Sequence, residues 1–185
     1  MPAATLPSLP LVRMLTSVSE AEIAGLASLL VDCVDGGASV SFMQPLSREK
    51  AVAFWRSVAA GVARGERALL VADDAAGIVG TVQLVLAQPE NQPHRADLSK
   101  MLVRRDARRR GLGAALMLGA EQVARECGKS LLVLDTASAD AERLYARLGW
   151  QRCGTIPGFA LLPQGGLCAT TFFYRELAPL AVTPG

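Results

Sequence analysis

The feature that most constrains this chain is a strand that runs into a basic glycine turn and then into an amphipathic helix. The turn reads RRDARRRGLGAAL, residues 104–116, with Arg104, Arg105, Arg108, Arg109 and Arg110 inside seven positions and Gly-Leu-Gly directly behind them. Upstream, ADLSKMLVR (96–104) reads as a strand. Downstream, Leu112, Ala115, Leu116, Gly119, Ala120, Val123 and Cys127 recur at helical spacing, and Glu121, Gln122, Arg125 and Glu126 fall on the outer face. Gly111 and Gly113 let backbone approach a ligand closely, and the free N–H groups of the helix start point outward with its positive dipole end. Such a turn suits a pyrophosphate, and neighbouring guanidinium forks match phosphate oxygens.

Competing readings of the turn fail on spacing. A P-loop needs GxxxxGK[ST], which is absent, and a GxGxxG dinucleotide turn fails because Leu116 stands where the third glycine belongs. A nucleic-acid surface would need more basic residues and stacking aromatics, but net charge is +2 and aromatics are 5% of the chain. A solvated arginine face is the remaining plain alternative.

A hydrophobic content of 51% over 185 residues predicts one domain with a real core and excludes a disordered chain. Its apolar runs, such as IVGTVQLVLA at 78–87, fall short of the ~18 residues that span a bilayer. Residues 1–10, with three prolines, read as a flexible lead-in, 11–178 as one domain, and 179–185 as a flexible tail. Cys33, Cys127, Cys153 and Cys168 are scattered and there is a single histidine, so free thiols in a cytoplasmic protein with no metal site are expected.

The remaining elements follow from caps and periodicity. A strand at Leu11–Leu15 precedes a helix capped by Ser19, with Glu22 at capping-box spacing. Ser47 caps a second helix that Gly65 closes. ALLVADD and GIVGTVQLVLAQ form a hairpin, SLLVLDT (130–136) a buried strand, and DAERLYARLG (140–149) a helix. Two last strands lie near 150–156 and 169–177, joined by a loop over 157–168. The order β-α-α-β-β-β-α-β-α-β-β makes a mixed α/β domain.

These residues resemble a known family. Arg108-Arg109-Arg110-Gly111-Leu112-Gly113 after a strand is similar to the acetyl-CoA loop of the GNAT N-acetyltransferases, and ERLYARLGW (142–150) to their later tyrosine-helix-Gly-aromatic element. GGASVSFM (36–43), NQPHRADLSKMLV (91–103), LDT (134–136) and PGFALLPQGGL (157–167) resemble the tabtoxin-resistance acetyltransferases within it. The resemblance implies a GNAT-like acyl-CoA N-acyltransferase fold with two splayed central parallel strands, 98–104 and 130–135, and acetyl-CoA between them. Pantetheine would pair with the backbone of Met101, Leu102 and Val103. Pyrophosphate would rest on the N–H groups of Arg109, Arg110, Gly111, Leu112, Gly113 and Ala114, and the 3′-phosphate would meet one of the arginines, Arg108 included. Ser138 stands where the family often has an asparagine cofactor contact.

For acetyl transfer to an amine, Tyr145 is the candidate proton donor: from a free phenol to a free thiol the transfer is uphill by roughly 2 kcal/mol. Asp135, ending the central strand, and Asp97 are candidate bases; a salt bridge with Arg95 or Lys100 is the structural alternative for Asp97, and capping for Asp135. Alternation places Asp97 on one face with Ser99, Met101 and Val103. A free aspartate faces a gap of about 5 kcal/mol to an α-ammonium and about 9 kcal/mol to a lysine-type ammonium, which favours an α-amino acceptor. His94 is expected exposed in a loop, Cys127 and Cys153 inert, and Phe42, Trp55 and Phe159 either pocket or core. The expectation is an acetyl-CoA-dependent N-acetyltransferase acting on a small amine, as a monomer or homodimer. The alternatives are a non-catalytic CoA sensor and a nucleic-acid-binding module.

Overall fold

A computed structural model describes residues 11–178; the expected lead-in and tail lie outside the described residues. The elements are β1 (Leu11–Leu15), α1 (Glu20–Asp35), α2 (Arg48–Ala63), β2 (Arg67–Asp74), β3 (Gly77–Val85), β4 (Arg95–Val103), a 3-10 turn (Arg105–Ala107), α3 (Leu112–Glu126), β5 (Leu131–Thr136), α4 (Ala139–Arg147), β6 (Gln151–Leu161) and β7 (Leu167–Glu176). Their order is the one read from the sequence.

Local chemistry explains the helix starts. Ser19 Oγ accepts from Glu22 N while Glu22 Oε2 accepts from Ser19 N at 2.8 Å, a complete capping box. Ser47 Oγ accepts from Lys50 N at 3.2 Å to start α2.

The strands form one sheet in the order β1-β2-β3-β4-β5-β7-β6, with β7 inserted between β5 and β6. Helices cover both faces. On β2, Leu69 and Val71 pack against α1 and α2, with Leu26, Leu30 and Trp55, while Leu70 and Ala72 pack against α3, with Leu116 and Met117. Both faces being buried is why ALLVA reads as an unbroken apolar run. Trp55 is fully buried here, so it belongs to the core rather than to a pocket.

Four sequence expectations are corrected. Glu121, placed on the outer face of its helix by periodicity, is 2% exposed and accepts a hydrogen bond from Trp150 Nε1 at 3.0 Å. Cys127, counted with the apolar stripe, is the exposed C-cap residue of α3. The loop at 157–168 is largely strand: β6 continues to Leu161 past a register shift between Ile156 and Ala160, where Gly158 has φ +61°.

The fourth correction shapes the site. In the β3–β4 ladder, Thr81 pairs Leu102 and Gln83 pairs Ser99, so two residues of β4 oppose one of β3. This bulge falls at Lys100, whose φ is 51°. Ala96 and Leu98 pack on the α3 side before it, whereas Leu102 packs on the α1–α2 side after it. Met101 and Val103 turn toward the α3 side. Asp97 and Ser99 therefore do not share a face with Met101 and Val103, because the extra residue reverses the alternation.

Candidate active site

β4 and β5 run parallel but pair only through Arg95–Leu131, Ala96–Leu132 and Asp97–Val133. Beyond Asp97 they diverge, so β4 residues 98–103 have no strand partner on that side. The gap opens into a cleft of about 1180 Å³ that runs from the start of α3 to the segment 39–43 and the end of β6. Of the residues singled out in the sequence, 101–103, Arg108, Arg109, 111–114, Asp135, Ser138 and Tyr145 line it. Asp97 and Arg110 are not among the lining residues.

Asp97, an expected base candidate, is instead ion-paired with Arg95 and accepts from Gln88 Nε2 at 3.2 Å, at the closed end of the splay. Arg110 Nη2 turns back to the Asp106 carbonyl at 2.9 Å. The arginine cluster is thereby divided. Arg104 pairs with Asp106 at 2.6 Å, and Arg105 with Asp32 at 2.9 Å. Arg108 Nε donates to the Val103 carbonyl at 3.2 Å and Arg109 carries φ 62°, both beside the cleft.

The helix start is left open. Gly111, the N-cap residue of α3, has φ 80° and supplies no side-chain cap, and the first intrahelical bond is Ala115 N to Gly111 O at 3.0 Å. The N–H groups of Leu112, Gly113 and Ala114 thus have no intrahelical acceptor, and all three residues line the cleft. The two glycines serve different needs. Gly111 has nothing within 4 Å of where a Cβ would sit and is required for its backbone conformation, whereas a Cβ on Gly113 would lie 3.0 Å from Leu144 Cδ2.

An open β4 edge, an uncapped helix N-terminus and two arginines match acetyl-CoA part for part: amide-bearing pantetheine, pyrophosphate, and a further phosphate. Valine at position 113, which adds bulk to the cleft wall beside Leu144 and Met101, is expected to raise the acetyl-CoA KM about tenfold, equivalent to about 1.4 kcal/mol of lost binding, while changing kcat less. Calorimetric titration with acetyl-CoA checks the binding part directly.

Tyr145, on α4, is 4% exposed, and its ring packs on Trp150 at 6.0 Å and Phe173 at 5.7 Å between centroids. Burial, and secondarily the charge of Asp135, push its phenol well above the usual value. Asp135 Oδ2 accepts from Thr170 Oγ1 at 2.7 Å, and the residue is otherwise exposed to the cleft. Ser138 Oγ caps α4 by accepting from Ala141 N at 3.3 Å. Phe42 and Phe159 line the acceptor end, and His94 is exposed away from it.

Several polar lining residues escape the sequence reading of the site, among them Ser41, Lys100, Asp140, Arg143, Arg147 and Thr170. The arginines are legible in sequence, since they stand four apart on the helix of Tyr145, although Arg143 is paired with Asp140. Lys100 gives no sequence signal because only the bulge aims it.

Known structures share this architecture. The chain is similar to a GNAT superfamily phosphinothricin acetyltransferase from Sinorhizobium meliloti, solved with acetyl-CoA, at 17% identity and TM-score 0.75, covering 96% of this chain and 94% of that one. It is also similar to a ribosomal-protein-alanine N-acetyltransferase from Brucella melitensis, at 23% identity and TM-score 0.74 over 90% and 99% of the two chains. An N-acetyltransferase from Staphylococcus aureus Mu50 matches at 13% identity and TM-score 0.75, over 91% and 99%. Residues 38–150 match the model of the acetyltransferase (GNAT) family. With a cleft that fits acetyl-CoA as donor, the chain belongs to that family and is an N-acetyltransferase.

Proposed function

We propose that the chain moves the acetyl group of acetyl-CoA to the amine of a small molecule, an amino-acid-like metabolite or toxin, by direct transfer in a ternary complex. The observation that carries this reading is one continuous cleft holding the open β4 edge and α3 turn at one end, and Tyr145 and Asp135 where that end meets the acceptor half.

Bound acetyl-CoA supplies an activated thioester. The free N–H groups at the α3 start and the guanidinium groups of Arg108 and Arg109 hold its phosphates. Asp135, with one oxygen occupied by Thr170, has the other free to receive a proton from the acceptor ammonium, directly or through a water. Asp97 does not serve as base, because Arg95 and Gln88 occupy it. Tyr145, its phenol pushed up, keeps its proton at ordinary pH and places an O–H donor for the negative charge that develops on the departing sulfur. An acyl-cysteine route lacks an activated thiol: burial pushes the Cys33 thiol up to about 11, and Cys168 Sγ donates to the Ser39 hydroxyl at 3.7 Å rather than to a base.

Asparagine at position 135 is expected to lower kcat/KM for the amine about 100-fold or more and to leave acetyl-CoA affinity intact, since its amide oxygen still accepts from Thr170. A thiol-release screen with acetyl-CoA across amino acids, polyamines and β-lactam-like amino acids tests the whole reading. Acetyl-CoA binding with no release for any amine would leave a CoA sensor in its place.

A further inference from the structure

Three non-glycine residues among those described have positive φ: Ser41 at 76°, Lys100 at 51° and Arg109 at 62°. All three line the same cleft. Such conformations persist only where surrounding structure enforces them, and they collect at ligand sites. Arg109 belongs to the phosphate turn. The other two meet each other: Lys100 Nζ donates to Ser41 Oγ at 3.2 Å and stands 5.6 Å from the Phe54 ring centroid. The mechanism above uses neither.

The acceptor half of the cleft is walled by residues 39–43, Lys100, Asp135, 159–162, Cys168 and Thr170. Its charged side chains are one ammonium, Lys100, and one carboxylate, Asp135. The wall is otherwise neutral, with Phe42 and Phe159 contributing apolar surface. Lys100 is half-buried, and burial lowers its pKa against the opposing pull of Asp135, so the two groups sense each other across the cavity. An ammonium has three donors. Ser41 takes one, leaving others for a ligand that brings an acceptor of negative charge.

We propose that Lys100, positioned by Ser41, is a specificity-determining residue that binds a carboxylate carried beside the amine of the acceptor, while Asp135 faces the amine. The bulge in β4 exists in this account to deliver a cation into the acceptor half. A single half-buried ammonium beside one hydroxyl suits a monoanionic carboxylate; a phosphate would call for more donors. The inference rests on the acetyl-transfer reading.

The test compares amino acids with their decarboxylated amines, none of which keeps a carboxylate: leucine with 3-methylbutylamine, methionine with 3-methylthiopropylamine, tyrosine with tyramine. The full chain is assayed as wild type, Lys100→Asn and Lys100→Arg. Asparagine tolerates the positive φ and removes the charge. Wild type is expected to prefer the carboxylate-bearing member of at least one pair by about tenfold or more in kcat/KM. Lys100→Asn is expected to raise KM for that amino acid about 10- to 100-fold, with KM for the matched amine and for acetyl-CoA nearly unchanged. Lys100→Arg retains most of the preference. Equal losses on both members of each pair would make Lys100 a support for the bulge and overturn the assignment. So would a wild type that acetylates amines without regard to the carboxylate, a result independent of whether any variant folds. If wild type binds acetyl-CoA by calorimetry yet acetylates no amine, the acetyl-transfer reading fails and takes this inference with it.

Discussion

Replacing Tyr145 with phenylalanine is expected to cut kcat by about 100- to 1,000-fold, the cost of removing one donor aimed at a developing charge. The affinity for acetyl-CoA should not move. The substitution is conservative for the fold because the ring carries the packing on Trp150 and Phe173 and phenylalanine keeps the ring. Only the hydroxyl is lost, on a residue that lines the cleft. The direction of its pKa refines the role. A free phenol is already a weaker acid than a thiol by about 2 kcal/mol, and burial beside Asp135 widens that gap. Tyr145 is thus suited to hold a hydrogen bond on sulfur rather than to dissociate in an independent step. Single-turnover measurements with saturating acetyl-CoA separate this effect from product release. Unchanged turnover would remove Tyr145 from the chemistry and leave it a core aromatic.

The second large effect concerns stability. Replacing Glu121 with alanine is expected to destabilise the protein by about 2–4 kcal/mol, since it leaves the buried Trp150 Nε1 without its acceptor and removes the charge that compensates two partly exposed arginines. The carboxylate is 2% exposed, accepts from Trp150 Nε1 at 3.0 Å, and lies 3.5 Å from Arg125 and 3.7 Å from Arg175. Arg175 donates from Nη1 to the Leu148 carbonyl at 2.8 Å, but its Nε has no hydrogen-bond partner among the described residues and has Glu121 as its opposite charge at 3.7 Å. At a domain of this size the loss corresponds to a fall in Tm of roughly 4–16 °C. Glutamine at 121 preserves an acceptor for Trp150 without the charge and should fall between wild type and alanine. A denaturant titration showing a change under about 1 kcal/mol for alanine would mean the network contributes little. Because Trp150 buttresses Tyr145, the alanine variant should also lose activity on warming before it unfolds globally.

The motif LYARLGW shows how far local pattern reaches. Its helix, its glycine stop and its two aromatics are legible in the string, and Gly149 does adopt φ +81°. The reason for Trp150 is not legible, because its partner Glu121 is 29 residues away on another helix and reads there as a surface charge. The arginine run divides the same way. Its glycines and the helix behind them announce an anion turn. Which arginines serve it depends on carboxylates far off in sequence: Arg105 is claimed by Asp32, 73 positions earlier, and Arg104 reaches Asp74, 30 positions earlier.

The sequence by itself determined the order of elements, the Ser19 and Ser47 caps and the glycine turn that opens α3. Each of these is written in spacings of one to four residues, where backbone geometry and side-chain periodicity act without the rest of the chain. Only the tertiary structure decided that Asp97 is tied to Arg95 at the closed end of the splay, that Asp135 and Tyr145 share the cleft, and that Lys100 points into it. Those outcomes turn on one extra residue in β4 opposite Val82 and on charges brought together across the fold. A bulge reverses every side chain beyond it, and an ion pair forms with whatever folding places nearby, so neither is written in local spacing.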